Sequence, residues 1–103
     1  MVDLVENESI QLTAAANLKR GKEAVGGKIT ITNRRVYFKP HAINIQKEPL
    51  EFPLEQISNV EKSKSLGLIP NVLIVTLNNG NVHHFVVNKR QKIMDYIETA
   101  IQN

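Results

Sequence analysis

Apolar and polar residues alternate along the chain on both sides of residues 33–34. A tight turn there places Ile31 opposite Val36, and the same register places Ile29 opposite Phe38. These four side chains share one face, and the residues between them share the other: Thr30, Thr32, Arg35 and Tyr37. The pattern predicts a β-hairpin whose turn is flanked by the two arginines. Asn tolerates the positive φ of a two-residue turn better than Arg does, so a four-residue loop with the same pairing is the alternative.

A second hairpin is predicted for residues 72–87, because Asn79 and Gly80 form the strongest turn signal in the chain. Both faces of its arms carry apolar side chains, so both are expected to be covered: Leu73, Val75, Leu77, Ile74, Phe85 and Val87. The pattern leaves open which face lies on the core, since a one-residue bulge would exchange the two.

Weaker signals indicate further strands before and between the hairpins. The stretch "ESIQLTAAANL", residues 8–18, favours a strand, with a helix as the competing interpretation because three alanines are poor strand formers. Pro53 cannot donate a hydrogen bond to a ladder and therefore marks a strand end or a sheet edge. Ile57 and Val60 are expected to begin the next strand.

The last segment has the periodicity of an amphipathic helix. Asn88 is a suitable N-cap, and the apolar residues that follow recur at helical spacing: Ile93, Tyr96, Ile97, Ala100 and Ile101. A series of short strands followed by one helix predicts an antiparallel β-domain whose open end the helix covers.

The composition agrees with one small domain spanning residues 1–103. The chain has 103 residues, of which 42% are hydrophobic and 22% charged, and its net charge is +3. The absence of cysteine excludes disulfides and thiolate zinc sites. No apolar run approaches the roughly 20 residues of a membrane span, and the acidic start lacks the charge pattern of an export signal. We therefore expect a cytoplasmic protein, with peripheral attachment to a membrane as the variant of that expectation.

Two parts of the sequence resemble a GRAM domain, a family of the pleckstrin-homology-like superfold. Residues 27–38 read Gly-x-Ile-x-Ile-Thr-Asn-x-Arg-x-x-Phe, and residues 53–57 read Pro-Leu-x-x-Ile. The similarity extends over about residues 8–101. It implies a mainly β fold, a seven-stranded, strongly bent antiparallel barrel with a C-terminal α-helix across one end, and it favours a strand at residues 15–18.

No pattern in the chain is typical of an active site. His83 and His84 are neighbours in a predicted strand, so they project to opposite faces and cannot share a metal ion. His41 lies far from both in sequence. Nucleophile motifs, phosphate-binding glycine loops and metal-spaced clusters are absent from the sequence. We expect a non-enzymatic protein without metal or cofactor.

Basic residues suggest where an anionic surface would bind. Lys19, Arg20 and Lys22 precede the first hairpin, and Lys28 follows in the next strand. The resemblance places this loop at the ligand-accepting end of the fold, away from the helix. Because Thr occupies position 30, where the phosphoinositide-binding motif has Arg, high-affinity head-group binding by that motif is not expected. The plainer interpretation is a loop kept polar by solvent.

Two further segments are candidate contacts. Lys89, Arg90 and Lys92 open the helix, and together with its N–H groups they would form an anion or partner site; the plainer interpretation is a small tolerated electrostatic cost. A loop with three apolar residues would form an apolar contact if it were exposed, or fold back over the core: Leu66, Leu68 and Ile69.

These features predict a GRAM-like binding or adaptor module that recognises a protein partner or an anionic membrane surface. One alternative is a homo-oligomeric scaffold that associates through an edge strand or through the loop at residues 65–70. A more remote alternative is a weak nucleic-acid binder, since Arg35, Tyr37 and Lys39 share one face.

Overall fold

The computed structural model describes residues 3–41, 47–65 and 69–102. The described residues form seven strands, one turn of 3₁₀ helix at Leu54–Gln56 and one α-helix. The strands are β1 (Ile10–Arg20), β2 (Glu23–Thr32), β3 (Arg35–Pro40), β4 (Leu50–Pro53), β5 (Ile57–Ser65), β6 (Ile69–Leu77) and β7 (Val82–Val87), and the helix is α1 (Arg90–Ile101). Within the stretch at residues 8–18, residues 10–18 thus form a strand and not the competing helix.

All seven strands belong to one antiparallel sheet in the order β4-β3-β2-β1-β7-β6-β5. The sheet curls into a half-barrel around a single core, because side chains from strands that are not neighbours meet inside it. The rings of Phe38 on β3 and Phe85 on β7, for example, lie 6.0 Å apart between centroids. The mainly β architecture predicted from the sequence is therefore confirmed.

The first hairpin has the predicted register, with Ile31 opposite Val36 and Ile29 opposite Phe38. All four side chains are at most 1% exposed. Residues 33–34 do not adopt positive φ, so the expectation of a turn that needs it is wrong. Instead the hydroxyl oxygen of Thr32 accepts the N–H groups of the two arginines, each at 3.0 Å, and closes the turn.

The second hairpin also forms, and its register settles which face is buried. Leu73 pairs with Phe85, and both point into the core. The connecting turn includes Gly80, whose φ of 91° falls in the region that favours glycine. The carboxamide oxygen of Asn79 accepts the N–H of Asn81 at 2.9 Å, which further stabilises this turn.

Helix α1 packs against β5, β6 and the 3₁₀ turn and covers that part of the core. Ile93 and Ile97 are buried, as the predicted stripe requires. The predicted cap at Asn88 is wrong, because Lys89 is the N-cap residue, with left-handed φ and ψ of 59° and 32°. The Asn88 N–H instead donates to the Ala15 carbonyl at 3.2 Å and prolongs the ladder between β7 and β1. Among the described helices, none is long and apolar enough to cross a membrane.

Candidate functional site: a basic cleft between parting strands

The sheet opens between β1 and β7. Only residues 16–18 of β1 pair with β7, where they face residues 85–87. Beyond these three pairs β1 continues to Arg20 and β7 extends back to Val82, yet the two strands no longer pair. The hairpin tip formed by β1 and β2 therefore stands away from the rest of the sheet and leaves a cleft beside β5, β6 and β7.

This opening, which we call the basic cleft, has a volume of about 360 Å³. Three lysines line it: Lys19 at the end of β1, Lys22 in the following turn, and Lys64 on β5. Among the described residues Glu23 is the acidic side chain in the lining, and His84 adds an imidazole. The fold thus brings together basic residues that are far apart in the sequence.

The three lysines are free to interact with a ligand. All are exposed, and within the described ranges none of them forms an ion pair, since the two ion pairs found there are both made by Arg35. Like charges on the walls of a cleft raise the local positive potential and attract anions. Apolar side chains form another part of the lining: Ala24, Val72 and Val86.

The remaining basic residues of the predicted surface lie elsewhere. Arg20 follows Lys19 in a strand and therefore projects toward the side on which Leu18 is buried. Lys28 is exposed on β2 opposite Lys39 and is not part of the cleft lining. The structure thus keeps Lys19 and Lys22 together and separates Arg20 and Lys28 from them.

Arg20 influences a different feature, on the inner side of the sheet, where His83 pairs with the buried Val75. There His83 stacks on Phe52, with ring centroids 5.5 Å apart and an interplanar angle of 6°. Burial lowers the pKa of His83, and the charges of Arg20 and His84 lower it further. A neutral, stacked imidazole is consistent with a packing role for His83.

The helix start adjoins the basic cleft on its other side. A shallow groove of about 420 Å³ includes Arg90 and Lys62 and shares Ser63 and Lys64 with the cleft. The guanidinium of Arg90 donates to the carbonyls of Ser63 and Val72, at 2.8 and 3.3 Å, so it ties the helix start to β5 and β6.

The other residues of the predicted helix-start and apolar-loop sites are dispersed. The ammonium group of Lys89 donates to the carbonyl of Thr13 at 3.4 Å, and Lys92 is exposed on the helix. Leu66 and Leu68 lie outside the described residues. Ile69 begins β6 and is 49% exposed.

A buried ion pair, which the sequence did not reveal, anchors the segment before β1. The carboxylate of Glu8 accepts hydrogen bonds from Nε and Nη2 of Arg35, at 2.8 and 3.0 Å, and from the hydroxyl of Thr32 at 2.6 Å. Arg35 also pairs with Glu51. The hydrogen bonds from Arg35 hold the pKa of Glu8 at about 2, below its ordinary value of 4.5, although burial opposes this shift.

Asn33 completes this anchor. Its side chain donates to the carbonyl of Asn7 at 2.9 Å and accepts the N–H of Ser9 at 2.8 Å. The Thr-Asn-x-Arg part of the sequence pattern therefore holds residues 3–9 on the first hairpin. Because Arg35 is neutralised by two carboxylates, its face offers less positive charge to a nucleic acid than the sequence suggested.

Other cavities offer less chemistry. A cleft of about 550 Å³ lies between the first hairpin turn, the 3₁₀ turn and the end of α1, and it is larger than the basic cleft. Its charged side chains, Arg34 and Glu55, have opposite signs, so it has no net preference for an anion.

Among the described residues no group of three or more His, Cys, Asp or Glu side chains could hold a metal ion.

Comparisons with known proteins identify the family. A family model described as the GRAM domain matches residues 1–103. A search of curated proteins finds no match.

Three solved structures illustrate the similarity of fold. The N-terminal PH domain of Vps36 superposes with a TM-score of 0.73 at 20% identity, covering 97% of this chain and 86% of that one. The C-terminal domain of an unknown protein from Leishmania infantum gives 0.79 at 14%, with 93% and 86% covered. The pleckstrin homology domain of USP37 gives 0.64 at 17%, with 90% and 99% covered. The chain therefore belongs to the GRAM domain family, and its fold is that of the pleckstrin-homology-like domains.

Proposed function

We propose that the chain is a non-catalytic binding module that holds an anionic partner in the basic cleft. The GRAM family and its pleckstrin-homology-like neighbours support a module that binds lipids or proteins. The observation that carries the proposal is the convergence of Lys19, Lys22 and Lys64, which come from separate parts of the chain and have no carboxylate partner among the described residues.

The shape of the site defines how an anion would bind. The lysines line a concave opening, and a bilayer that stays flat would contact its rim alone. A carboxylate or phosphate group that enters the opening lies among the three lysines of its lining. With about 1 kcal/mol for each basic residue near an anionic surface, the three supply about 3 kcal/mol, or roughly a hundredfold in affinity.

Charge reversal with a matched control tests the site. One variant carries Lys19→Glu, Lys22→Glu and Lys64→Glu, and the control carries the same change at three exposed lysines outside the cleft: Lys28, Lys39 and Lys92. Binding to phosphatidylserine vesicles and to polyglutamate is measured for both variants and the unmodified chain at two salt concentrations.

We expect the unmodified chain to bind at least one of these probes, and we expect the cleft variant to lose roughly a hundredfold in affinity. The control should change much less, although its net charge is the same. Equal losses of affinity in both variants would show that net charge alone attracts the probe, and would rule out the basic cleft as a specific site. A chain that binds neither probe at low salt would contradict the proposed function.

A further inference from the structure

The lining of the basic cleft is mixed, and this narrows the choice of partner. Besides the lysines, the lining includes Val72, which is 8% exposed, and Val86, which is half-buried, both on the outer side of the sheet. A phosphorylated sugar head group is polar throughout and would leave these side chains without an apolar contact. A segment with both carboxylates and an aliphatic side chain would use the whole lining.

The parting of β1 and β7 favours an extended ligand. If the register of their three pairs continued, Lys19 would face His84 and Arg20 would face His83. These pairs do not form, so the cleft lies where a ladder has opened. An extended chain is narrow enough for such an opening, and sheets commonly bind peptides in this conformation.

We propose that the partner is an extended acidic segment of another protein, with one aliphatic side chain against Val72 and Val86 and flanking carboxylates on the lysines. This inference rests on the proposed function, since it places the ligand at the same site. A cleft of 360 Å³ is at the lower end of the range for ligand pockets, so a few residues of the partner fill it.

The probe for this inference is a blocked, fluorescein-labelled peptide of sequence Glu-Glu-Ile-Glu-Glu, with a second peptide in which Ser replaces Ile. Fluorescence anisotropy measures the affinity of both peptides for the unmodified chain. We expect the Ile peptide to bind at least several-fold more tightly, because its side chain reaches the apolar part of the cleft. Phosphatidylserine vesicles and inorganic phosphate serve as the competing anions.

A nearly isosteric variant tests the apolar contact. Val86→Thr replaces one methyl group of the lining by a hydroxyl, and Val82→Thr makes the same change on the same strand at a side chain that is 48% exposed and outside the cleft. We expect Val86→Thr to weaken the Ile peptide about fourfold, the effect of one buried methyl group. It should leave the Ser peptide and the vesicles unchanged, and Val82→Thr should change none of the three.

The outcomes separate this inference from the proposed function. If vesicles or inorganic phosphate bind through the lysines but neither peptide binds, the acidic-segment inference fails and the anionic site stands. If the Ile and Ser peptides bind equally and Val86→Thr has no effect, the apolar contact is overturned. If no probe binds the unmodified chain, both proposals fail. Thermal unfolding of each variant confirms that it folds.

Discussion

Glu8 holds the segment before β1 against the first hairpin, because its carboxylate is buried and surrounded by donors. The side chain is 0% exposed, while that of Glu51, the other partner of Arg35, is 45% exposed. An ion pair with a buried carboxylate is screened less by solvent than one with an exposed carboxylate, so its loss costs more. The two glutamates therefore form a matched pair for testing what the anchor contributes.

We predict that Glu8→Gln lowers the free energy of unfolding by about 3 kcal/mol, because it leaves Arg35 without its buried counter-charge. Glu51→Gln should lower it by at most about 1 kcal/mol. Urea unfolding at neutral pH measures both. Equal losses from the two changes would contradict the buried role of Glu8.

The contribution of Glu8 should depend on pH in a defined window. Its pKa is about 2 in the folded chain and has an ordinary value of 4.5. Above 4.5 both states are ionised and the ion pair contributes fully; as the pH falls toward 2, the unfolded chain takes up the proton first and the contribution shrinks. We expect the stability difference between the unmodified chain and Glu8→Gln to narrow between pH 5 and pH 2. Urea unfolding at pH 6 and pH 3 measures this difference. A difference in the free energy of unfolding that is the same at both values would contradict the lowered pKa of Glu8.

Gly27 is required by a close approach of two strands. A Cβ atom at this position would lie 2.3 Å from the carbonyl oxygen of Lys39 and 2.8 Å from the Phe38 ring. Gly27→Ala should therefore lower the free energy of unfolding by about 1–3 kcal/mol, the usual cost of overpacking. Gly26→Ala is the control, since its Cβ would meet the side-chain oxygen of Asn17 at 3.1 Å. Chemical denaturation measures the free energy of unfolding of both variants. A larger decrease for Gly26→Ala than for Gly27→Ala would contradict the close approach at Gly27.

At the scale of elements, the alternation of apolar residues predicted the first hairpin well because both its strands bury one face. The side chains of Ile29 and Ile31 are buried in the core, so a shift of one residue in the strand register would expose both. The start of α1 was predicted less well, since capping preference is a local signal. Here the N–H of Asn88 satisfies the carbonyl of Ala15, a contact between distant residues that no local pattern records.

Arg90 joins α1 to the sheet, and its removal should separate a structural role from an anion-binding one. We predict that Arg90→Met lowers the free energy of unfolding by about 2 kcal/mol, because a charged donor to two carbonyls is lost. Lys92→Met on the same helix, where the side chain is exposed, should have little effect on stability. Thermal unfolding compares the stability of the two variants. In both of them, the affinity for polyglutamate should fall by less than it does in Lys19→Glu. If Lys92→Met proves as destabilising as Arg90→Met, the hydrogen bonds from Arg90 to β5 and β6 are not what stabilises the helix start.

For the whole molecule, the sequence predicted the architecture but only part of the site. The half-barrel follows from many independent short-range patterns, including turn residues, alternation and the helical stripe. The basic cleft depends on where the strands part, and that position sets which lysines meet. Lys64 joins Lys19 and Lys22 across the opening, whereas Arg20, their neighbour in sequence, projects to the other side. A cluster in sequence is therefore a poor guide to a cluster in space when its members lie in a strand.

The state of association follows from the two sheet edges, and we expect the chain to be monomeric. The β4 edge has four residues and ends at Pro53, which cannot donate to a ladder. The β5 edge is longer but exposes Glu61, Lys62 and Lys64, and charged side chains on an edge oppose pairing between identical strands. Light scattering across a concentration series should give the mass of one chain, 11.6 kDa. A mass that doubles with concentration would instead support the scaffold alternative. If the single change Leu50→Lys on β4 then restored the monomer mass, the association would be through the β4 edge.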